Sequence, residues 1–179
     1  MEIRELQKTD IEYLRYIVVK TARGEYKNKP EATKLLFCDY YAQYGVGYVL
    51  VDDNRVVGYI IASEDYKKYI EVYKREFLPK LKEVDKKEYH LKKLEMVVDK
   101  LLGKKYPAHL HCDILEEYCG SGYGSKLMQQ LLNKLKADNV RGVYLGLDKT
   151  NTRAINYYKK FGFYSSGILR LFGIYKKEL

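Results

Sequence analysis

No tryptophan occurs among the 179 residues, and cysteine is nearly as scarce: Cys38, Cys112 and Cys119 are odd in number and widely spaced. Such a set offers neither a CxxC zinc pattern nor a paired disulfide framework, and a reducing cytoplasm is the expected setting. No charged-then-apolar leader opens the chain, and no apolar run approaches the roughly 20 residues that span a bilayer, so secretion and membrane insertion are not expected. Repeats, linkers and low-complexity segments are also missing, which fits one domain over residues 1–179.

What is abundant points to a folded chain. Hydrophobic residues make up 46% and aromatics 14%, with Tyr supplying 20 side chains and Phe 5, so a core can form without staples. Lys and Arg number 33 against 24 acids, a formal charge of +9. That field favours anionic partners without naming one: nucleic acid, a polyphosphate ligand and plain solubility all fit it. The lysines are scattered among acids rather than gathered with stacking aromatics, which argues against a nucleic-acid binder.

Along the chain, EIREL at the start reads as a short strand, followed by a helix with Ile11, Leu14, Ile17 and Val18 on one face and a second helix running to about Tyr44. Residues 48–62 hold two β-branched and aromatic runs around DDNR, the pattern of a hairpin. Residues 64–105 carry 13 Lys or Arg against 9 acids, with Leu91, Leu94, Val97, Val98 and Leu101 at helical spacing, and read as two helices broken near Pro79. Tyr106 to Leu115 is a strand with His109, His111 and Asp113 on one face. A helix carrying Leu127, Leu131, Leu132 and Leu135 and a strand at residues 143–147 complete a βαβ unit; a helix to Phe161 and two closing strands about Ser165 to Gly167 end the chain.

Between strand and helix lies CGSGYGSKL, residues 119–127. Gly120, Gly122 and Gly124 allow a tight turn whose N–H groups point outward, and a helix beginning near Ser125 adds the positive end of its dipole, together an anion cradle. The spacing GxGxG is neither the dinucleotide fingerprint GxGxxG nor a Walker loop. It resembles the pyrophosphate-binding signature of the GNAT family of N-acetyltransferases: Gln or Arg, two residues, Gly, one residue, Gly or Ala. Gly122 and Gly124 match, and Cys119 stands where that family has Gln or Arg. NTRAINYYKKFGF, residues 151–163, resembles the family's later segment, and the two occur in the family's order.

The resemblance implies a mixed α/β domain with a mostly antiparallel sheet of six to seven strands, acetyl-CoA as co-substrate with no metal, and transfer of an acetyl group to a primary amine of a small molecule or peptide. It implies a cofactor site along the main chain of Ile114 and Leu115, through Cys119, Gly120, Ser121, Gly122, Tyr123, Gly124 and Ser125, with Asn151 on the pantetheine arm. Tyr158 takes the place of the general acid beside the departing sulfur, and a phenol, protonated at neutral pH, suits a thiol leaving group. Tyr157 reads as core. His111 and Asp113 are the candidate bases, with His109 behind them and Glu116 and Glu117 nearby. The segment 64–105, longer than the family's usual connection, reads as a lid or acceptor wall, or else as packing for the sheet edge or a homodimer contact. Since Cys119 departs from the signature, a CoA-binding relative without catalysis stands as the rival reading.

Overall fold

The computed structural model describes residues 1–179, the side chains of Ile168, Leu171 and Phe172 excepted. Six strands form one sheet in chain order: β1 (Glu2–Glu5), β2 (Val46–Asp52), β3 (Arg55–Ser63), β4 (Ala108–Ile114), β5 (Gly142–Gly146) and β6 (Ile174–Glu178). Every pairing is antiparallel except β4 with β5. The β2–β3 hairpin turns through Asp53 and Asn54, with φ of 45° and 62°, the left-handed conformation that Asn and Asp tolerate best.

Alternation along β3 divides the core. Tyr59 and Ile61 face the layer made by α1 (Ile11–Thr21), α2 (Pro30–Phe37), α3 (Asp39–Tyr44) and the 64–105 insertion, whereas Ile60 and Ala62 face α7 (Tyr123–Ala137) and α8 (Thr152–Lys160). The junction of β1 with α1 is held by Asp10, 3% exposed, which accepts two hydrogen bonds from Arg4 at 2.7 and 2.8 Å and one from the Gln7 N–H. That hydrogen-bonded pairing holds the Asp10 carboxyl below its usual range against the opposing effect of burial.

Several expectations are corrected. The second helix breaks at Cys38, whose φ of −129° is not helical, into α2 and α3. Pro79 does not divide the insertion. Its missing N–H and its ring are accommodated by one π turn, Tyr73–Phe77, between α4 (Tyr66–Val72) and α5 (Leu78–Val84). The break comes at Asp85, whose side chain accepts from the Glu88 N–H and caps α6 (Lys86–Leu102). Helix α7 starts at Tyr123, two residues before Ser125. Of the two closing strands, the first is a single bridge, Tyr164 to Lys176, followed by a 3-10 turn, Gly167–Phe172.

Helix α6 also inverts its expected orientation. The periodic apolar positions Leu91, Leu94, Val97 and Leu101 are exposed, while Glu88, Lys92, Met96 and Asp99 are buried. The inward face is polar because it meets a polar surface: the tyrosines of α3, α4 and β5 and the histidines of β4. Within the insertion Tyr69, Tyr73, Phe77 and Leu81 are each at most 1% exposed. Tyr69 and Tyr73 belong to the core, and Tyr66 packs on Gly103.

Candidate active site

The site forms where β4 leaves β5. The parallel pairing covers only Ala108 with Val143 and His109 with Tyr144, so from Leu110 onward β4 is bonded on the β3 side alone. Leu115 donates its N–H to the Val57 carbonyl at 3.0 Å and accepts from the Tyr118 N–H at 2.9 Å. By the alternation of an antiparallel ladder, the peptide groups of Cys112 and Ile114 then point the other way, into the gap. Of the two residues expected along the pantetheine, Ile114 has its peptide groups directed into the gap, whereas both those of Leu115 are bonded within the protein.

The glycine turn closes this gap at its far end. Gly120 and Gly122 have φ of 87° and 82°, a conformation that L side chains rarely adopt, and open space surrounds the position of an added Cβ on either. Backbone strain, not crowding, is what requires glycine there. Ser125 and Lys126 donate their N–H groups to the Gly122 carbonyl. Among the described residues, the N–H groups of Gly120, Ser121, Gly122, Tyr123 and Gly124 have no protein acceptor. Five free donors at the N-terminus of a 15-residue helix make a site for an anion of several oxygens.

Neighbouring side chains brace the turn. Tyr157 donates its hydroxyl to the Gly124 carbonyl at 2.6 Å, so this residue, read as core, ties α8 to α7. Gly124 lies against Ile114 and Tyr157. The Cys119 thiol turns back onto the carbonyls of Ile114 and Leu115, 3.6 Å from each. Lys126 holds its ammonium 4.9 Å from the Tyr123 ring. Asn151 caps α8, its side-chain oxygen accepting from the Ala154 N–H at 3.1 Å.

The titratable groups converge on the same gap from both faces of the sheet. Tyr158 is 6% exposed, packed on Tyr157 and Phe163, and its hydroxyl has no protein partner among the described residues. Burial, with Cys112, Tyr157 and Asp113 nearby, pushes its pKa well above 10. That makes it a weaker acid than a free phenol, one that keeps its proton at neutral pH.

On the opposite face Asp113 accepts a hydrogen bond from the buried Tyr59 hydroxyl at 2.7 Å, and burial raises its pKa against that bond. His111 shares the Tyr41 hydroxyl with His109, at 3.0 and 2.6 Å, and burial pushes its pKa down to about 3. Glu116 and Glu117 are exposed on a 3-10 turn. Tyr41 and Tyr59 were not singled out by the sequence, and Tyr157 was read there only as core: one tyrosine among 20 carries little local mark, and the fold selects its partner. A groove of about 570 Å³ lined by Glu64, Lys104, Asp138 and Arg141 opens beside the other ends of β4 and β5, away from this chemistry.

The comparison with known families bears on this geometry. The model of the acetyltransferase (GNAT) family matches residues 11–163. The chain belongs to that family. Among solved structures similar to it, SsHAT superposes with a TM-score of 0.81 at 23% identity, over 99% of this chain and 97% of that one. A GNAT family acetyltransferase from Brucella melitensis in complex with acetyl-CoA gives 0.57 at 17%, over 99% and 87%. The PaiA N-acetyltransferase from Thermoplasma acidophilum in complex with coenzyme A gives 0.57 at 14%, over the whole of both chains. At these identities the likeness is one of fold, and the six-stranded sheet with its opened β4–β5 pair is a GNAT fold.

Proposed function

We propose that this GNAT protein transfers the acetyl group of acetyl-CoA to a primary amine. The observation that carries the reading is the row of five unpaired N–H groups, Gly120 to Gly124, beside the unpaired edge of β4: a diphosphate suits the first and an extended amide-bearing arm the second. The three cysteines, unpaired, suit a reducing cytoplasm, and the acceptor is a small molecule or peptide.

When bound, acetyl-CoA supplies a thioester carbonyl and a thiolate leaving group; the protein supplies position and proton traffic. The turn holds the diphosphate, Ile114 lends its peptide groups to the pantetheine, and the free amide nitrogen of Asn151 reaches the same arm. Tyr158 donates a hydrogen bond to the sulfur as negative charge develops there, the moment at which such a bond stabilises most. The amine arrives neutral, and its nitrogen becomes acidic only as it bonds to the carbonyl carbon, so a weak base suffices. We assign that proton to His111, whose Nδ1 has no protein partner and is not enclosed; Asp113, the stronger base through burial, is the competitor.

Thiol release from acetyl-CoA across amine classes tests the activity. Tyr158→Phe is expected to lower kcat at least 10-fold with acetyl-CoA affinity unchanged, and a variant as fast as the parent would remove Tyr158 from the mechanism. One observation favours a silent binder: the Cys119 thiol, turned onto β4, brings no cation to the phosphates. Calorimetric binding of acetyl-CoA without thiol release from any amine would decide for it.

A further inference from the structure

The stripe of apolar residues that α6 turns outward is left uncovered by the rest of the chain. Leu94 and Leu101 are 67% and 68% exposed, Val97 59% and Leu91 45%. A contiguous apolar patch of this kind on a folded surface marks a site of interaction. The helix cannot roll to hide it, because its inward face is anchored along its length: Glu88 accepts from Lys29 at 2.8 Å, Lys92 lies over the rings of Tyr69 and Tyr73, and Asp99 accepts from Tyr144 at 2.5 Å.

Positive charge borders the stripe. Lys86, Lys93 and Lys100 are exposed and recur at seven-residue intervals, which two helical turns bring almost back to one line, so they form an edge alongside the leucines. Among the described residues none of the three has an ion-pair partner, whereas the exposed Lys87 and Lys105 pair with Glu25 and Glu178. Glu95, the one exposed acid of α6, is already bonded to Lys92 at 3.0 Å. The outer face of α6 is therefore an apolar ridge with a cationic edge, on a chain of charge +9.

We propose that α6 seats this protein on an anionic lipid leaflet, with Leu91, Leu94, Val97 and Leu101 entering the headgroup boundary and Lys86, Lys93 and Lys100 meeting lipid phosphates. Among the described residues no helix is long and apolar enough to cross a membrane, so α6 lies in the plane of the interface, as a helix with an apolar stripe and a basic edge does. The lysine stems run along the apolar boundary and carry their ammonium groups out to the headgroups, where each adds attraction to anionic lipid. This surface is separate from the reaction proposed above and does not depend on it.

A second copy of the chain fits the ridge less well. From Leu91 to Leu101 the ridge is about 15 Å long and one helix, about 10 Å, wide, well under the roughly 800 Å² that each partner of a stable dimer buries. An antiparallel pair of α6 helices would set lysine edge against lysine edge, and a parallel pair would set it against an edge whose acid, Glu95, is taken by Lys92. A protein that captures a helix does so in a groove and with aromatic or Arg anchors, whereas this ridge is convex and purely aliphatic. A fluid leaflet has no fixed shape to match, and its phosphates supply the negative charge that the lysine edge lacks.

Co-sedimentation of the full chain with sucrose-loaded vesicles tests the proposal. The parent is expected to bind phosphatidylcholine vesicles containing about one-third phosphatidylglycerol, to be released as salt rises, and to ignore vesicles of phosphatidylcholine alone. Leu94→Glu combined with Leu101→Glu should weaken binding at least about 10-fold, and Lys93→Gln combined with Lys100→Gln about 10-fold, each with a parent-like circular dichroism spectrum. The lysine variant alters only exposed side chains and decides the matter if the leucine variant does not fold. Failure of the parent to bind the anionic vesicles would overturn the proposal. So would equal binding to the neutral vesicles, or parent-like binding by either folded variant, since each outcome removes one of the two contributions. A dimer in analytical ultracentrifugation that Leu94→Glu abolishes would give the face to a second copy and overturn the lipid assignment.

Discussion

At the scale of single residues, Gly120 and Gly122 differ from Gly124 in a testable way. The first two sit at positive φ in open space, whereas a Cβ on Gly124 would touch Ile114 at an ordinary 3.5 Å. Gly120→Ala and Gly122→Ala should each lose about 1–2 kcal/mol to backbone strain, and Gly124→Ala less than either, as read from urea midpoints. All three should weaken coenzyme A binding in calorimetry, the first two by re-aiming N–H groups. Unchanged affinity in Gly122→Ala would mean that the turn does not hold the phosphates.

His111 makes a second residue-scale prediction. Its native pKa of about 3 lies below the ordinary value near 6.5, so between these limits the unfolded chain binds a proton that the native chain refuses. Stability therefore rises with pH through that window and falls as acid is added. His109, also depressed, acts in the same direction, whereas Asp99 and Asp113, raised by burial, act in the opposite one. Replacing His111 by Asn should flatten the acid limb of a stability profile between pH 6.5 and 3. An unaltered slope would assign acid sensitivity elsewhere.

At the scale of elements, α6 shows why periodicity alone misleads. Five apolar residues at helical spacing predict an inward face, yet the surface across the interface is polar and aromatic, so Lys92 points inward over the rings of Tyr69 and Tyr73 and Asp99 accepts from Tyr144. Leu94, 67% exposed, should tolerate Glu within about 0.5 kcal/mol, as a surface position does. Lys92→Ala should cost about 1–3 kcal/mol by emptying the space over the Tyr69 and Tyr73 rings and removing a nearby cation from buried Asp99, and chemical denaturation compares the two. If Leu94→Glu proved the more damaging, the helix would be oriented as its periodicity suggests. Pro79 is a parallel case: proline reads as a break in the sequence, and a single π turn upstream absorbs it within a continuous helical segment.

At the scale of the molecule, one sheet carries both layers. Tyr59 and Ile61 belong to one core cluster and Ile60 to the other through a shared backbone, so neither layer can melt without exposing the other side of β3. Unfolding should be one transition, with near- and far-ultraviolet circular dichroism coinciding; two separated transitions would divide the chain into independent units, contrary to the single domain we propose. The charge of +9 predicts that the association rate of coenzyme A falls as salt rises, with dissociation much less affected.

The glycine turn, the βαβ unit around it, the hairpin and the family were legible in the sequence, because each is set by local rules: which residues accept positive φ, which face of a strand alternates, which helix N-terminus presents free N–H groups. The tyrosines that brace the site, the bonded state of Leu115 and the inward lysine of α6 were not legible. Each depends on which polar group meets another across 23 to 70 residues of chain. A side chain's hydrogen bonds and burial are properties of its neighbours, and only the packed sheet and helices decide who those neighbours are.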